Sequence, residues 1–404
     1  MPSYLHPGVY LEEVAPEMGP KPGVRQRLPT FDENAARLST PRWVPEHTHV
    51  AFLGFAVQGP IDVPTWVRGW PQFVAIFGDS VDGGMLHLAV RGFFANGGQS
   101  CVVVRVSTSL GDLVKSFVGN SDGGTGLAAL AVLDDVSIVC IPDLMGAYQA
   151  GTISADEVVA VQLGMIAHCE SAGDRIAILD CPPGLDVQQV RDWRSYVGRY
   201  DSSYAIMYHP WIRAYDADSG SFRYIPPCGH IAGVYAKVDL MRGFHHTPAN
   251  QGVDGAVGVE TTLTGWDQDL LNPIGVNALI VSSGRGVLVW GSRTLSSDPA
   301  RRYIHRQRLI AFILRNIRMG TRWAIFERTD DPTLPQRIMA QIRDFLNLLW
   351  RSGALWGETP EEAFEVSYED IPEVRDAGSL CISCSVTVSR DLTSDFRLVY
   401  FCDC

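Results

Sequence analysis

The sequence predicts an α/β body built on a mostly parallel sheet flanked by helices, followed by an α+β carboxy-terminal domain, with an extended β arm at each end of the chain. Three observations lead there. Between residues 50 and 290, short apolar runs alternate with helical periodicities, the pattern of βαβ units. Beyond that stretch come an Arg-rich helix, an amphipathic helix and a polar β tail. The amino-terminal residues instead carry Pro2, Pro7, Pro16, Pro20, Pro22, Pro29, Pro41 and Pro45, too many for a helix or a central strand.

Residues 1–48 therefore form an arm and linker. Within them Val9, Tyr10, Leu11, Glu12, Glu13 and Val14 make one short strand with no following hairpin partner, so it must pair elsewhere, as on another molecule. Leu28 to Pro45 is expected to be a long irregular loop. The α/β body occupies residues 49–291. Its strands are expected at Val50–Val57, Cys101–Val106, Val136–Ile141, Arg175–Asp180 and Tyr204–Tyr208, and its helices at Gln72–Phe77, Met85–Asn96, Leu127–Leu133, Ala155–Glu170, Val187–Arg199 and Gly229–Met241. Gly97-Gly98 closes the second helix as a C-cap does.

The body ends at Gly284 to Leu295, where Val287 to Trp290 suits a strand buried on both faces between glycines. Gly286, Trp290, Gly291 and Arg293 mark this expected domain junction, with Arg293 structural rather than catalytic. Residues 292–390 form the α+β domain, with a helix at Arg301–Met319, a short strand at Arg322–Phe326, a helix at Gln336–Arg351 and strands at Phe364–Tyr368 and Leu380–Val388. The second helix sets Ile338, Ile342, Phe345, Leu346 and Leu349 on one face. Residues 391–404 end the chain with a strand of Phe396, Arg397, Leu398, Val399, Tyr400 and Phe401, whose far side has nothing left to pair with. Both ends thus offer an unpaired β element.

The chain has 404 residues, 46% of them hydrophobic, enough for two or three domains with real cores. Its net charge of −12 argues against a general nucleic-acid binder, which needs a surplus of cations. No apolar stretch reaches the about 18 residues of a membrane span, and Met1 to Gly8 has no signal-peptide pattern, so synthesis and folding in a cytosol are expected. Nine scattered cysteines do not form a disulfide framework. Neither phosphate-cradling glycine loop occurs, nor a G-x-S-x-G elbow. Ser202, Ser203, His209 and Asp180 could be assembled into a hydrolase triad only on paper. Cys381 and Cys384 with Cys402 and Cys404 could hold zinc, but lack a knuckle turn. The pairs His47/His49 and His245/His246 read as surface histidines, and Arg301, Arg302, Arg306 and Arg308 as ion-pairing partners within an acidic chain. The expectation is no catalytic site, no metal and no cofactor. The alternatives are an α/β hydrolase and a zinc-stabilised binding module.

Several stretches resemble the tail sheath proteins of contractile phages, R-type bacteriocins and extracellular contractile injection systems. They include His6-Pro7-Gly8-Val9-Tyr10-Leu11-Glu12-Glu13, Ala89-Val90-Arg91-Gly92-Phe93-Phe94-Ala95-Asn96-Gly97-Gly98, Ala177 to Pro183, Tyr208-His209-Pro210-Trp211, Pro227 to Ala236, Leu271 to Asn277, Gly284-Arg285-Gly286 with Trp290-Gly291-Ser292-Arg293-Thr294-Leu295, and Gly353 to Gly357. They span nearly the whole chain in the family's order. The resemblance implies a structural subunit, not an enzyme, that stacks as hexameric rings around an inner tube and contracts to drive that tube through a target envelope. It implies partners: other copies of the chain, with or without paralogous sheath subunits, the inner tube protein, and baseplate and terminator or cap proteins. Nucleic acid and direct membrane insertion are not among them. Such a protein is made in the bacterial cytoplasm and assembled into a virion tail or an injection particle that can be released. By the same resemblance the terminal strands pair between subunits. The 49–291 body lies outside and the 292–390 domain faces the tube, through a helix for which Arg337, Gln341 and Arg343 are the candidates. The chain departs from the family at Leu28 to Pro45 and at Leu392-Thr393-Ser394-Asp395-Phe396, the entry to the last strand.

Overall fold

Near-continuous runs of Val, Ile, Ala and Cys cannot leave one face in water, and such runs form the middle of the larger sheet. The computed structural model describes residues 8–13, 48–81, 83–107, 111–328, 331–369, 371 and 379–401. The chain divides into two units, one of Glu46–Phe312 and one of Met1–Pro45 with Ile313–Cys404.

The strands in chain order are β1 (Gly8–Glu13), β2 (His49–Gly54), β3 (Thr65–Val67), β4 (Cys101–Arg105), β5 (Val136–Cys140), β6 (Ile176–Asp180), β7 (Ala205–His209), β8 (Ile212–Asp216), β9 (Ser221–Ile225), β10 (Ala256–Val259), β11 (Val276–Ser282), β12 (Gly286–Trp290), β13 (Phe364–Glu369), β14 (Ser379–Ser389) and β15 (Leu392–Phe401). The body holds an eight-stranded sheet in the order β12-β11-β7-β6-β5-β2-β4-β3. Its interior pairs are parallel and only the edges, β3 on β4 and β12 on β11, run antiparallel. Helices at Leu86–Ala95, Ala155–Ala172 and Cys228–Arg242 appear where the sequence places them. Ser154 and Glu157 form a reciprocal capping box on the second. The first and third pack closely because glycine permits it: a β-carbon on Gly229 would strike the Ala89 backbone, and one on Gly233 the Phe93 carbonyl.

A buried polar node joins three segments of the body. Asp239, on helix Cys228–Arg242, accepts hydrogen bonds from both terminal nitrogens of Arg308, on helix Ile304–Gly320, one of them at 2.7 Å, and from the Thr48 hydroxyl just before β2. The guanidinium lies 4.6 Å from the Tyr235 ring centroid and 5.3 Å from that of Phe244, which itself stacks on Phe312. Planar Arg suits this site, since it can serve a carboxylate with two donors while presenting a face to aromatic rings.

The smaller unit is an antiparallel sheet in the order β1-β15-β14-β13, beside helix Leu334–Arg351. That helix buries Ile338, Ile342, Phe345 and Leu346, as its periodicity predicts.

Several expectations are corrected. Val287, Leu288 and Val289 are buried on both faces as expected, but β12 is the antiparallel edge strand of a hairpin rather than an interior strand, and Trp290 is 44% exposed. Four apolar residues in a row cannot distinguish an interior strand from an edge strand whose outer side is covered. Here Asn250, Gln251 and Val253 cover it through backbone hydrogen bonds to Val289 and Val287. The division between units falls in helix Ile304–Gly320 rather than near residue 291. Arg322–Phe326 is a 3-10 turn, not a strand, pinned by the Trp323 indole donating to Gln341 Oε1 at 2.7 Å. The last strand starts at Leu392, so the divergent Leu392 to Asp395 segment is paired, Asp395 opposite Ser385. The two chain ends are not unpaired, since β1 lies antiparallel on β15 from Gly8↔Phe401 to Glu13↔Phe396. Helix Pro142–Gln149 and the small β10-β8-β9 sheet were not anticipated. Val14 and the Leu28–Pro45 segment lie outside the described residues.

Arg308→Ala leaves Asp239 buried without its cation. Urea denaturation should show the body losing about 3–5 kcal/mol of stability, and a loss below about 1 kcal/mol would show that the node is not structural.

Candidate functional site

The residues singled out by the sequence fall into three groups. The first is the sheet of the smaller unit. Phe396, Leu398, Val399 and Tyr400 are buried in β15, between β14 on one side and β1 on the other. The Tyr400 hydroxyl donates to Thr321 Oγ1 at 2.8 Å, and burial raises its pKa. Val9, Tyr10 and Leu11 lie opposite Tyr400, Val399 and Leu398, while Arg397 pairs with Glu369 of β13 at 2.9 Å. The arrangement does no chemistry. It is a β-addition in which main-chain hydrogen bonds supply the attraction and alternate side chains set the register.

The second group is helix Leu334–Arg351. Arg337 is half-buried, 4.6 Å from the Trp323 ring centroid and 3.3 Å from Glu327 Oε1. Gln341 is half-buried and bonds within the unit, accepting from Trp323 and donating to the Gly320 carbonyl at 2.8 Å. Arg343 is exposed, yet its guanidinium donates to the Val366 carbonyl of β13 at 2.6 Å. Of the three residues expected to face outward, Gln341 is thus a packing residue, whereas Arg343 presents charge at the surface.

The third group is the hairpin of β11 and β12. Gly284 and Gly286 both have positive φ and make its turn. Arg285 donates to the side-chain and backbone oxygens of Asn250, at 2.8 and 3.0 Å. Gly291 sits against Asn277, where a β-carbon would lie 2.5 Å from Oδ1. Asn277, which sequence reasoning missed, is the organiser: its amide donates to the Met207 and Arg293 carbonyls and its oxygen accepts from the Arg293 N–H at 2.8 Å. These contacts engage the backbone of Arg293. An asparagine inside an otherwise apolar strand was the available signal.

The hydrolase constellation is not assembled. Asp180 accepts from the Cys228 N–H at 3.0 Å, and burial pushes its pKa up to about 7. Ser202 donates to Glu170 at 2.6 Å. His209 is buried with no hydrogen bond at either ring nitrogen, and burial holds its pKa down to about 4. Cys381 and Cys384 are buried in β14, while Cys402 and Cys404 lie outside the described residues. His245 and His246 stack on one another, and His49 stacks edge-on against Trp66. Among the described residues no helix is long and apolar enough to cross a membrane.

Comparison with known proteins agrees with this architecture. Residues 120–295 match the phage tail sheath protein central domain. A prophage major tail sheath protein of Pseudomonas aeruginosa is 29% identical over 50% of this chain and 51% of its own length. The tail sheath protein of Escherichia phage P2 is 25% identical over 62% and 63%. The chain therefore spans about half to 63% of these curated relatives. Among solved structures, the helical sheath of the anti-feeding prophage in its contracted state superposes with a TM-score of 0.67 at 25% identity, covering 93% of this chain and 97% of that one. The contracted sheath of the PVC extracellular contractile injection system gives a TM-score of 0.66 at 24% identity, covering 93% and 96%.

Asp180 also makes a pH prediction. Its folded pKa lies above the ordinary 3.8, so between about pH 4 and 7 the folded chain holds a proton that the unfolded chain has released. The stabilisation is full below about pH 4 and is lost as pH rises through about 7. Asp180→Asn keeps an acceptor for the Cys228 N–H without ionising. Relative to wild type it should gain on the order of 2–4 kcal/mol between pH 4 and pH 8 in parallel denaturation series, and no gain would mean that Asp180 is ionised in the fold. In fold, in its central domain and in the order of its motifs, this chain is similar to the tail sheath proteins of contractile phage tails and injection systems.

Proposed function

We propose that the chain is a structural subunit of a contractile sheath, polymerising as hexameric rings around an inner tube and contracting to drive that tube through a target envelope. The observation that carries this reading is the β1–β15 pairing. The first strand closes the edge left by the last, across the whole length of the chain. Backbone pairing of this kind is indifferent to whether the added strand belongs to the same molecule or a neighbour. The lattice form of the contact exchanges β1 and β15 between copies, so that main-chain hydrogen bonds hold subunits together while softer side-chain contacts change during contraction.

In this reading β1 and β15 are the connecting strands, the unit of residues 46–312 is the outer body, and the unit that holds helix Leu334–Arg351 is the tube-facing domain. Arg343, exposed on helix Leu334–Arg351, is the side chain offered to the inner tube protein, with Arg337 beside it. Baseplate and terminator proteins complete the sheath at its ends. The work of contraction comes from the free-energy difference between the extended and contracted lattices, with no residue acting as a catalyst. The particle is assembled after synthesis in a bacterial cytoplasm and acts as a phage tail or as a released injection device.

Deleting residues 1–18 should leave soluble bodies that form no tubular sheaths in negative-stain micrographs, and normal tubes from the truncated chain would overturn the exchanged-strand reading. A Tyr10→Cys, Val399→Cys pair, directly opposed in register, separates the two forms of the contact. Assembled particles should give a ladder of disulfide-linked oligomers on oxidation, whereas crosslinks confined to single chains would exclude exchange.

A further inference from the structure

His87, in the first turn of helix Leu86–Ala95, is buried, and it faces the turn between β8 and β9, which supplies Asp216 and Asp218. One ligand-capable atom from each residue lies within 4.8 Å of the other two, the one such trio of His, Cys, Asp or Glu among the described residues. His87 Nε2 is 3.7 Å from Asp218 Oδ2, beyond hydrogen-bond reach, and has no hydrogen-bond partner. A buried ring nitrogen left without a partner costs stability unless something else fills the gap. Asp216 is held firmly: one oxygen accepts from the Asp218 N–H at 3.0 Å, the other from Ser219 Oγ at 3.0 Å and Arg223 Nη1 at 3.1 Å. The Ser219 N–H also acts on this carboxylate, so an ion would share an oxygen with one of these donors.

We propose that His87, Asp216 and Asp218 bind one divalent transition-metal ion, with Zn²⁺ the best match, through His87 Nε2 and one oxygen of each carboxylate. The donor set argues for the class of ion. One imidazole nitrogen with two carboxylate oxygens suits Zn²⁺ or a neighbouring first-row ion, whereas Ca²⁺ wants six to eight oxygens. Tetrahedral bonds of about 2.0–2.1 Å set neighbouring ligand atoms about 3.4 Å apart, so the 3.7 Å gap between His87 and Asp218 closes with a shift of a few tenths of an ångström, and the trio, within 4.8 Å, draws in by at most about 1.4 Å. Asp218, the exposed member, can make that shift and leaves a fourth position to water. The charge balance is also suitable: among the described residues Asp216, Asp218 and Asp79 act on His87 with negative potential, against the positive charge of Arg223. The bound ion would staple the β8–β9 turn to helix Leu86–Ala95. The same hairpin carries the exposed Tyr215, Phe222 and Tyr224, so the staple would also hold a projecting aromatic surface in one orientation.

The test uses the full chain, stripped with a chelator and titrated with ZnCl₂, MnCl₂ and CaCl₂ by calorimetry, with thermal unfolding in parallel. Wild type should bind one Zn²⁺ per chain at this site and show a Zn²⁺-dependent rise in Tm. His87→Ala and Asp218→Asn should each lower the affinity at least about tenfold and abolish the rise in Tm. Asp218 is exposed, so Asp218→Asn keeps the test valid if His87→Ala fails to fold. Three results would overturn the proposal: no saturable Zn²⁺ binding, Zn²⁺ binding as tight in both variants as in wild type, which would place the ion at other histidines such as His245 and His246, or Ca²⁺ binding tighter than Zn²⁺.

Discussion

Asp239 carries its carboxylate where water cannot solvate it, and the body is organised so that this charge is met. Arg308 supplies two donors and Thr48 a third. Because an unmatched charge there is so costly, three separate pieces of chain are brought to one point. They are the end of helix Cys228–Arg242, the first half of helix Ile304–Gly320, and the residue that enters β2. β2 is a central strand, held between β4 and β5, so Thr48 cannot move without the sheet. The aromatic rings of Tyr235 and Phe244 on the guanidinium exclude the water that would otherwise weaken the contact.

The smaller unit shows a different kind of constraint. A three-stranded antiparallel meander of β13, β14 and β15 would leave β15 as an open edge, and an open edge carries a row of unmet backbone groups. β1 meets them from the opposite end of the sequence. The attraction is mostly main chain, which makes it strong yet indifferent to which molecule supplies the strand. The register sets Val9, Tyr10 and Leu11 opposite the buried Tyr400, Val399 and Leu398 of β15. A contact with those properties suits a part that must stay connected while its surroundings rearrange.

Several buried carboxylates serve as acceptors for backbone N–H groups. Asp143 lies beneath the start of helix Leu86–Ala95, accepting from the Phe55, Met85 and Leu86 N–H groups, and burial pushes its pKa up to about 6. Asp180 does the same for Cys228 at the start of helix Cys228–Arg242. Both carboxylates anchor helix N-termini to strand ends. Burial is the main cause of both shifts, and both carboxylates sit where a helix start needs an acceptor that water cannot provide.

The α/β class, most strands and helices of the body, and the apolar face of helix Leu334–Arg351 were legible in the sequence, because local periodicity and glycine or proline punctuation fix them. Ile338, Ile342, Phe345 and Leu346 are buried as their spacing requires. Edges and partners were not legible. Val287 to Val289 look the same in sequence whether a neighbouring strand or the Asn250–Val253 segment covers them, and only the tertiary structure made β12 an edge. Gln341 and Arg343 sit two residues apart in the same helix, yet one is consumed by Trp323 and Gly320 while the other reaches the surface. The pairing of β1 with β15, the role of Asn277 and the meeting of His87 with Asp216 and Asp218 join residues far apart in the chain. Sequence by itself determined what each segment could become, since that depends on neighbours a few residues away. Tertiary structure alone decided which buried polar groups and strand edges meet, because each such meeting is set by the free-energy cost of leaving the other partner unmatched.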